Sequence, residues 1–178
     1  MLDIVISPSP VLLEKSAECT PGDASLRKLS SQMQEVMYHY VGVGLAGPQV
    51  GQLKRIVVID TNYELDDVEG TKNPITLVNP VIVEHSDDME ETDEGCLSCP
   101  GISAPVMRYT WVKVKYFDLD GKEQFIDGDG LLSHALQHEI DHLDGKTLFQ
   151  TAKPQARLQL LQDYKIALEN GAQPGQVE

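Results

Sequence analysis

DGLLSHALQHEIDHLDG, residues 129–145, decides the fold. Asp129 near its start and Gly145 as a C-terminal stop frame a helix. On a helix, positions i and i+4 stand over one another on one face. His138 and His142 can therefore share one ion through their ring nitrogens. Glu139 projects beside them, placed to work on a water at the ion without ligating it, which is the mechanical content of H-E-x-x-H. A bare HxxxH reads as two surface or packing histidines. The acid after the first histidine, on an amphipathic helix, favours a metal.

His134 extends the stripe to three histidines, His134, His138 and His142. The two ends lie about 12 Å apart by helical rise, and metal–nitrogen bonds are about 2.1 Å. All three cannot reach one ion. The 134/138 pair has no acid after its first histidine, so the 138/142 pair is the metal pair and His134 is a wall or surface residue. Two histidines leave a catalytic site one ligand short. The pattern H-E-x-x-H-x-x-G-x-x-H is followed as far as Gly145, but its last position is Leu148, which binds no metal. Downstream carboxylates, Asp163 and Glu169, sit in a helix without a companion motif. The third ligand is therefore expected upstream, in EGCLSCP, residues 94–100. Cys96 and Cys99 spell C-x-x-C, but no second C-x-x-C completes a zinc ribbon, and no βαβ context supports a redox dithiol. One thiolate with two imidazoles suits Zn²⁺, Fe²⁺ or Ni²⁺. In an extended EGCLS strand, residues three apart point to opposite sides, so only one of the two thiols can meet the histidines. The other reads as a small buried hydrophobe. Cys19, in a Ser/Pro/Gly-rich segment, looks incidental.

Outward from that helix, strands meet in runs with helices at the flanks, giving an α+β fold. Antiparallel sheets are expected around the HExxH-bearing helix, with a C-terminal helix. SLRKLSSQMQEVMYHY, 25–40, carries Leu26, Leu29, Met33, Val36, Met37 and Tyr40 at helical steps, with Ser25 as N-cap. RIVVID, 55–60, is a buried strand, and TLVNPVIVE, 76–84, is another. In WVKVKYFD, 111–118, Val112, Val114 and Tyr116 alternate with Lys113 and Lys115. Asp120-Gly121 turns that strand into KEQFID, 122–127. NYELDDVEGTKN, 62–73, is an acidic solvent loop. Pro154 opens a last helix through Leu158, Leu161, Tyr164 and Leu168. Residues 1–171 are expected to form one catalytic domain and 172–178 a flexible tail.

The chain of 178 residues carries 28 acids against 14 Lys and Arg, a net charge of −14. That balance argues against DNA or RNA as a partner, because phosphate backbones need cationic neutralisation. It argues equally against anionic membrane surfaces. MLDIVISPSP lacks the basic and apolar regions of a secretory signal. Three cysteines make no closed disulfide set, so reduced thiols and a cytoplasmic location are expected.

GVGLAGPQVG, 42–51, has four glycines and a proline but no Walker lysine and no dinucleotide spacing. Its glycines suit close backbone approach to an extended ligand, and Gln49 supplies an amide donor for an oxyanion.

Three blocks in order, Gly42-Val43-Gly44-Leu45-Ala46-Gly47-Pro48-Gln49, Glu94-Gly95-Cys96-Leu97-Ser98 and Gln137 to His142, resemble the peptide deformylase family, whose motifs are G-x-G-x-A-A-P-Q, E-G-C-L-S and Q-H-E-x-D-H. The resemblance runs from about Ser7 to Leu168. It implies a hydrolase acting on N-formylmethionyl peptides in new polypeptides, releasing formate. It makes Cys96, His138 and His142 the ligands of one divalent ion, Fe²⁺ natively, with Zn²⁺ or Ni²⁺ in purified protein. It makes Glu139 the general acid/base, and Gln49 and the Leu97 backbone N–H the oxyanion donors. Gly44 and Gly95 would bond the substrate backbone, Val43 would line the methionine pocket, and Glu94 and Arg108 would pair behind Cys96. Four positions depart from the family pattern: Leu13, Gly47 (an expected loosening of the loop), Cys99 and Ser103. None is a metal, acid/base or oxyanion position, so an active enzyme is expected. In some relatives a basic C-terminal helix docks on the ribosome. Here Lys153, Arg157 and Lys165 compete with Asp163 and Glu169, so charge does not support even a transient ribosome contact. Two rival readings are a structural zinc module with Cys99 or His134 as fourth ligand, and a general HExxH peptidase.

Overall fold

The computed structural model describes residues 1–63 and 71–175. Most of the expected acidic loop at 62–73, and the last three residues of the expected tail, lie outside the described residues. The architecture is α+β, and the paired strands all run antiparallel; one isolated bridge, Ala17 to Lys54, is parallel. Among the described residues there are seven strands: β1 (Gly44–Ala46), β2 (Ile56–Ile59), β3 (Ile75–His85), β4 (Met89–Gly95), β5 (Ser103–Tyr109), β6 (Trp111–Phe117) and β7 (Glu123–Asp129). They form a five-stranded sheet in the order β1-β2-β3-β6-β7 and a separate β4-β5 hairpin. The helices are α1 (Ser25–His39), α2 (Gly130–Leu143), a single turn α3 (Leu148–Thr151) and α4 (Arg157–Glu169).

The large sheet lies between α1 and α2, and β2 shows why. All four of its residues are buried. Ile56 and Val58 face the α1 side, packing with Leu26, Leu29, Met33, Val36 and Met37. Val57 and Ile59 face the α2 side, with Ala135, Leu136, Ile140 and Leu143. A strand covered on both faces reads as a continuous apolar run rather than an alternation. Each fully buried Leu, Ile or Met contributes about 1.5–3 kcal/mol by burial, so the first layer fastens α1 to one face of the sheet and the second fastens α2 to the other. A third cluster joins β5 (Ala104, Val106) to α3 and α4 through Leu148, Leu160 and Tyr164, and includes Cys99.

Several local expectations change. Ser25 is the first residue of α1 rather than its cap; Asp23 Oδ1 accepts from both the Ser25 N–H and its hydroxyl at 2.8 Å. The inward face of α4 is Leu160 and Tyr164, while Leu158 (70% exposed) and Leu161 (52%) point to solvent. A 3-10 turn at Pro154–Ala156 precedes the helix, which begins at Arg157. Three further strands form beyond those expected: β5, whose burial alternates, and β1 and β4, where apolar periodicity is absent. β4, MEETDEG, has no buried residue and is held by its seven-residue register with β5, from Met89↔Tyr109 to Gly95↔Ser103.

Candidate metal centre

The ring nitrogens and the thiol expected to meet do meet. Among the described residues, Cys96, His138 and His142 offer ligand atoms all within 4.8 Å of one another. Cys96 Sγ lies 3.3 Å from His142 Nε2, which lies 3.2 Å from His138 Nε2. The helix supplies the two histidines from one face of α2, and the end of β4 brings the thiol over them. His134 is not in the group. Its Nε2 pairs with Glu90 at 2.6 Å on the cavity wall.

The residues behind the ligands set their orientation. His138 Nδ1 bonds Glu94 Oε1 at 2.8 Å, which leaves Nε2 for the ion side. Glu94 is in turn gripped by both Arg108 Nε and Nη2 at 2.8 Å, and accepts from Thr92 Oγ1 at 2.7 Å. Arg108 Nη1 donates to Asp141 Oδ2 at 2.6 Å, tying the hairpin to α2. Burial opposes ionising Glu94, yet the Arg108 and His138 bonds override it and hold its carboxyl well below the usual range. A carboxylate on the far nitrogen of a metal-binding histidine fixes its tautomer and raises its basicity. The expected Glu94–Arg108 pair is thus present, and it braces His138 as well as the Cys96 strand. Asp141 and Gln137 went unassigned in the motif. Gln137 exchanges two 3.0 Å bonds with the Tyr109 backbone, clamping α2 to β5. Their place inside QHEIDH was the available signal.

Glu139 is 4% exposed beside the ligands. Burial pushes its carboxyl up to about 7, with Glu94 and Asp141 adding to the rise against His138 and Arg108. Its Oε2 has no hydrogen-bond partner among the described residues. A buried carboxylate oxygen left unbonded is costly unless the site uses it, and this one belongs to an ionisable group poised near neutrality, where general acid–base catalysis is most effective. A Cβ on Gly44 would sit 2.7 Å from Glu139 Oε1. Glycine there makes room for the acid as well as for any ligand.

Gln49 is fully buried. Its Oε1 accepts from Ala46 N–H at 2.9 Å, so its amide nitrogen is turned toward Ser98 Oγ (3.2 Å) and Cys96 Sγ (3.5 Å). Gly47 does not loosen the loop. A Cβ there would lie 2.5 Å from the Lys54 carbonyl and 2.7 Å from that of Gln52. Those carbonyls are drawn in by the tight turn after Gln49, and glycine is what lets it close. Ser103, exposed on β5, donates to Asp93 at 3.3 Å.

The turn after β4 also changes an expectation. The strand ends at Gly95, and Cys99 N–H donates to the Cys96 carbonyl at 3.0 Å. The chain therefore reverses instead of alternating, and the two cysteines do not point to opposite sides. Cys99 is buried in the α4 cluster, against which Cys96 also packs.

These groups floor a cavity of about 370 Å³. Val43, Gly44, Gln49, Gly95, Leu97, His138 and Glu139 all line it, and Val43 is 37% exposed there. β1 and β4 border it with edges that no strand covers among the described residues.

The donor set fits a divalent transition ion: one soft anionic sulfur and two imidazoles, one of them carboxylate-backed. The family model for polypeptide deformylase matches residues 1–158. The peptide deformylase of Brucella suis is 46% identical over 142 residues, 80% of this chain and 79% of its own. That of Brachyspira hyodysenteriae is 39% identical over 168 residues, 94% of this chain and 89% of its own. The crystal structure of the Legionella pneumophila enzyme covers 96% of both chains at 36% identity with a TM-score of 0.85. The Synechococcus elongatus enzyme, solved in complex with actinonin, covers 96% of this chain and 88% of its own at 37% identity and a TM-score of 0.83. With a family match over most of its length and relatives well above 30% identity, this chain belongs to the polypeptide deformylase family.

Proposed function

We propose that the chain hydrolyses the formyl group from the N-terminal formyl-methionine of new polypeptides, releasing formate, with one divalent ion held by Cys96, His138 and His142. The observation that carries this reading is the buried Glu139, its Oε2 without a hydrogen-bond partner among the described residues, beside a three-residue group that borders a cavity. The ion, Fe²⁺ in the cell and Zn²⁺ or Ni²⁺ where purification exchanges it, would supply Lewis-acid polarisation and a water of lowered pKa. Glu139 takes the proton of the attacking water and delivers it to the leaving amine. The Gln49 amide and the Leu97 backbone N–H donate to the oxygen that gains charge. The substrate backbone lies as an added strand between the free edges of β1 and β4, bonding at Gly44 and Gly95. Val43 meets the methionine side chain. A formyl carbon carries only hydrogen, so a tight floor admits it and rejects larger acyl groups by clash.

A single body of residues 1–171 suffices for this chemistry, in the cytoplasm where new chains emerge. No helix among the described residues is long and apolar enough to cross a membrane. A ribosome contact has no support from charge, since α4 mixes Arg157 and Lys165 with Asp163 and Glu169.

The test is acyl selectivity. Formyl-Met-Ala-Ser should release formate, acetyl-Met-Ala-Ser should be nearly inert, and unformylated peptides should stay whole. Comparable rates on formyl and acetyl substrates would replace this reading with a broad amidase, and internal cleavage would replace it with a peptidase.

A further inference from the structure

Cys99 is outside the ligand group, fully buried, and yet folded back toward Cys96. The bond from Cys99 N–H to the Cys96 carbonyl closes a reverse turn, whose end Cα atoms lie within about 7 Å. A disulfide spans Cα separations of about 4.4–6.8 Å. Both residues belong to one packed region, since Cys96 lies against the cluster that contains Cys99. Access differs sharply between them. Cys96 lines the cavity, whereas Cys99 is shut into the α4 cluster. A reagent entering the cavity meets Cys96 alone, and Cys99 is reachable only by Cys96.

We propose that Cys96 and Cys99 are a redox pair: a hydroperoxide entering the cavity oxidises Cys96, and Cys99 resolves it as a reversible disulfide that releases the ion. In the first step the Cys96 sulfur attacks the peroxide. The O–O bond breaks, an S–O bond forms, and alcohol (or water, from hydrogen peroxide) departs. In the second step the Cys99 sulfur attacks the resulting sulfenic acid. The S–S bond forms, the S–O bond breaks, and hydroxide leaves with the thiol proton as water. Two thiols have lost two electrons and the peroxide has gained them. A sulfur in a disulfide is no longer a thiolate ligand, so two imidazoles are left to hold the ion. Without a resolving thiol, a sulfenic acid climbs to sulfinic and sulfonic acids, which are irreversible. The pair therefore converts a terminal lesion of the metal centre into a recoverable one. This rests on the proposed ligand role of Cys96.

The experiment uses the full chain loaded with Zn²⁺, which has no redox chemistry of its own. Wild type and Cys99→Val, the latter checked for folding by circular dichroism, are exposed to a several-fold molar excess of hydrogen peroxide, enough to carry an unresolved sulfenic acid to sulfinic acid. Alkylation and peptide mapping then read the fate of residues 96–99, a chelating dye reads released zinc, and both are read again after dithiothreitol and added zinc. Cys19, whose backbone is tied to Asn79, maps on a separate peptide. Because the readouts are thiol mass and zinc content, they hold whether or not the chain cleaves formyl peptides. Wild type should lose two hydrogens from the 96–99 peptide, release zinc, and regain both on reduction. Cys99→Val should gain oxygen on Cys96 and fail to rebind zinc. Oxygenated Cys96 without a disulfide in wild type, or equal recovery in the two proteins, overturns the proposal.

Discussion

At the residue scale, position rather than identity separates Glu139 from the other 27 acids. It is buried, wedged against Gly44 on one oxygen and without a hydrogen-bond partner among the described residues on the other. Glu139→Gln keeps the shape and removes the proton carrier. Turnover should fall by at least about 10²-fold, the usual worth of general acid–base catalysis, while metal content by atomic absorption stays at the wild-type level. A variant that loses the metal in parallel would mean Glu139 is a ligand. Gly47 shows the same dependence on surroundings. Two backbone carbonyls crowd the place of its missing Cβ, and backbone yields less readily than a side-chain tip. Gly47→Ala should destabilise by about 1–3 kcal/mol, as overpacking does, measured by urea denaturation. An unchanged midpoint would show that the loop has slack.

At the scale of elements, β4 is tied to α2 by polar contacts, while β5 adds the packing of Tyr109 against the α2 core. β4 has no buried side chain to anchor it. Beyond its register with β5, it is fastened by Arg108, 6% exposed by side chain, which joins Glu94 on β4 to Asp141 on α2. Removing one member of a buried ion pair leaves an uncompensated charge and costs about 3–5 kcal/mol. Arg108→Met should lose stability on that order. It should also bind zinc about 10–100-fold more weakly, because Glu94 no longer holds His138 in place. Competition against a zinc indicator measures the second effect. Weakened zinc binding at unchanged stability would indicate that the hairpin is anchored elsewhere.

For the whole molecule, the three apolar clusters stabilise the fold independently of any ion. The ligands come from α2, packed on the large sheet through Leu136, Ile140 and Leu143, and from the end of a hairpin clamped by Gln137 and Arg108. Chelation should therefore abolish formate release while the far-ultraviolet circular dichroism spectrum stays unchanged. A structural zinc module would unfold under the same treatment, since its binding energy is its folding energy. Unfolding on chelation would thus restore the structural reading and remove the catalytic one.

Where chemistry is encoded locally, the sequence alone determined the outcome. The His138–Glu139–His142 spacing follows from helical geometry, the burial of Ile56–Ile59 from an unbroken apolar run, and the stop at Gly145 from its positive φ of 76°. That Cys96 stands beside His138 and His142, and Glu94 beside Arg108, was legible in motif order. Tertiary structure decided what depends on contacts far apart in the chain. β4 carries no apolar period and exists because β5 pairs with it. On α4, Leu160 and Tyr164 turn inward while Leu158 and Leu161 stay exposed, a choice between helix faces set by the cluster of β5 and α3 that packs against it. The reversal at Cys96–Cys99 replaced an extended strand. The poise of Glu139 arose from the burial that the sheet edges and α2 create together. Periodicity reports only a residue's relation to its own helix or strand. Which oxygen is left without a partner, and which two sulfurs share a turn, depends on how the elements close around them.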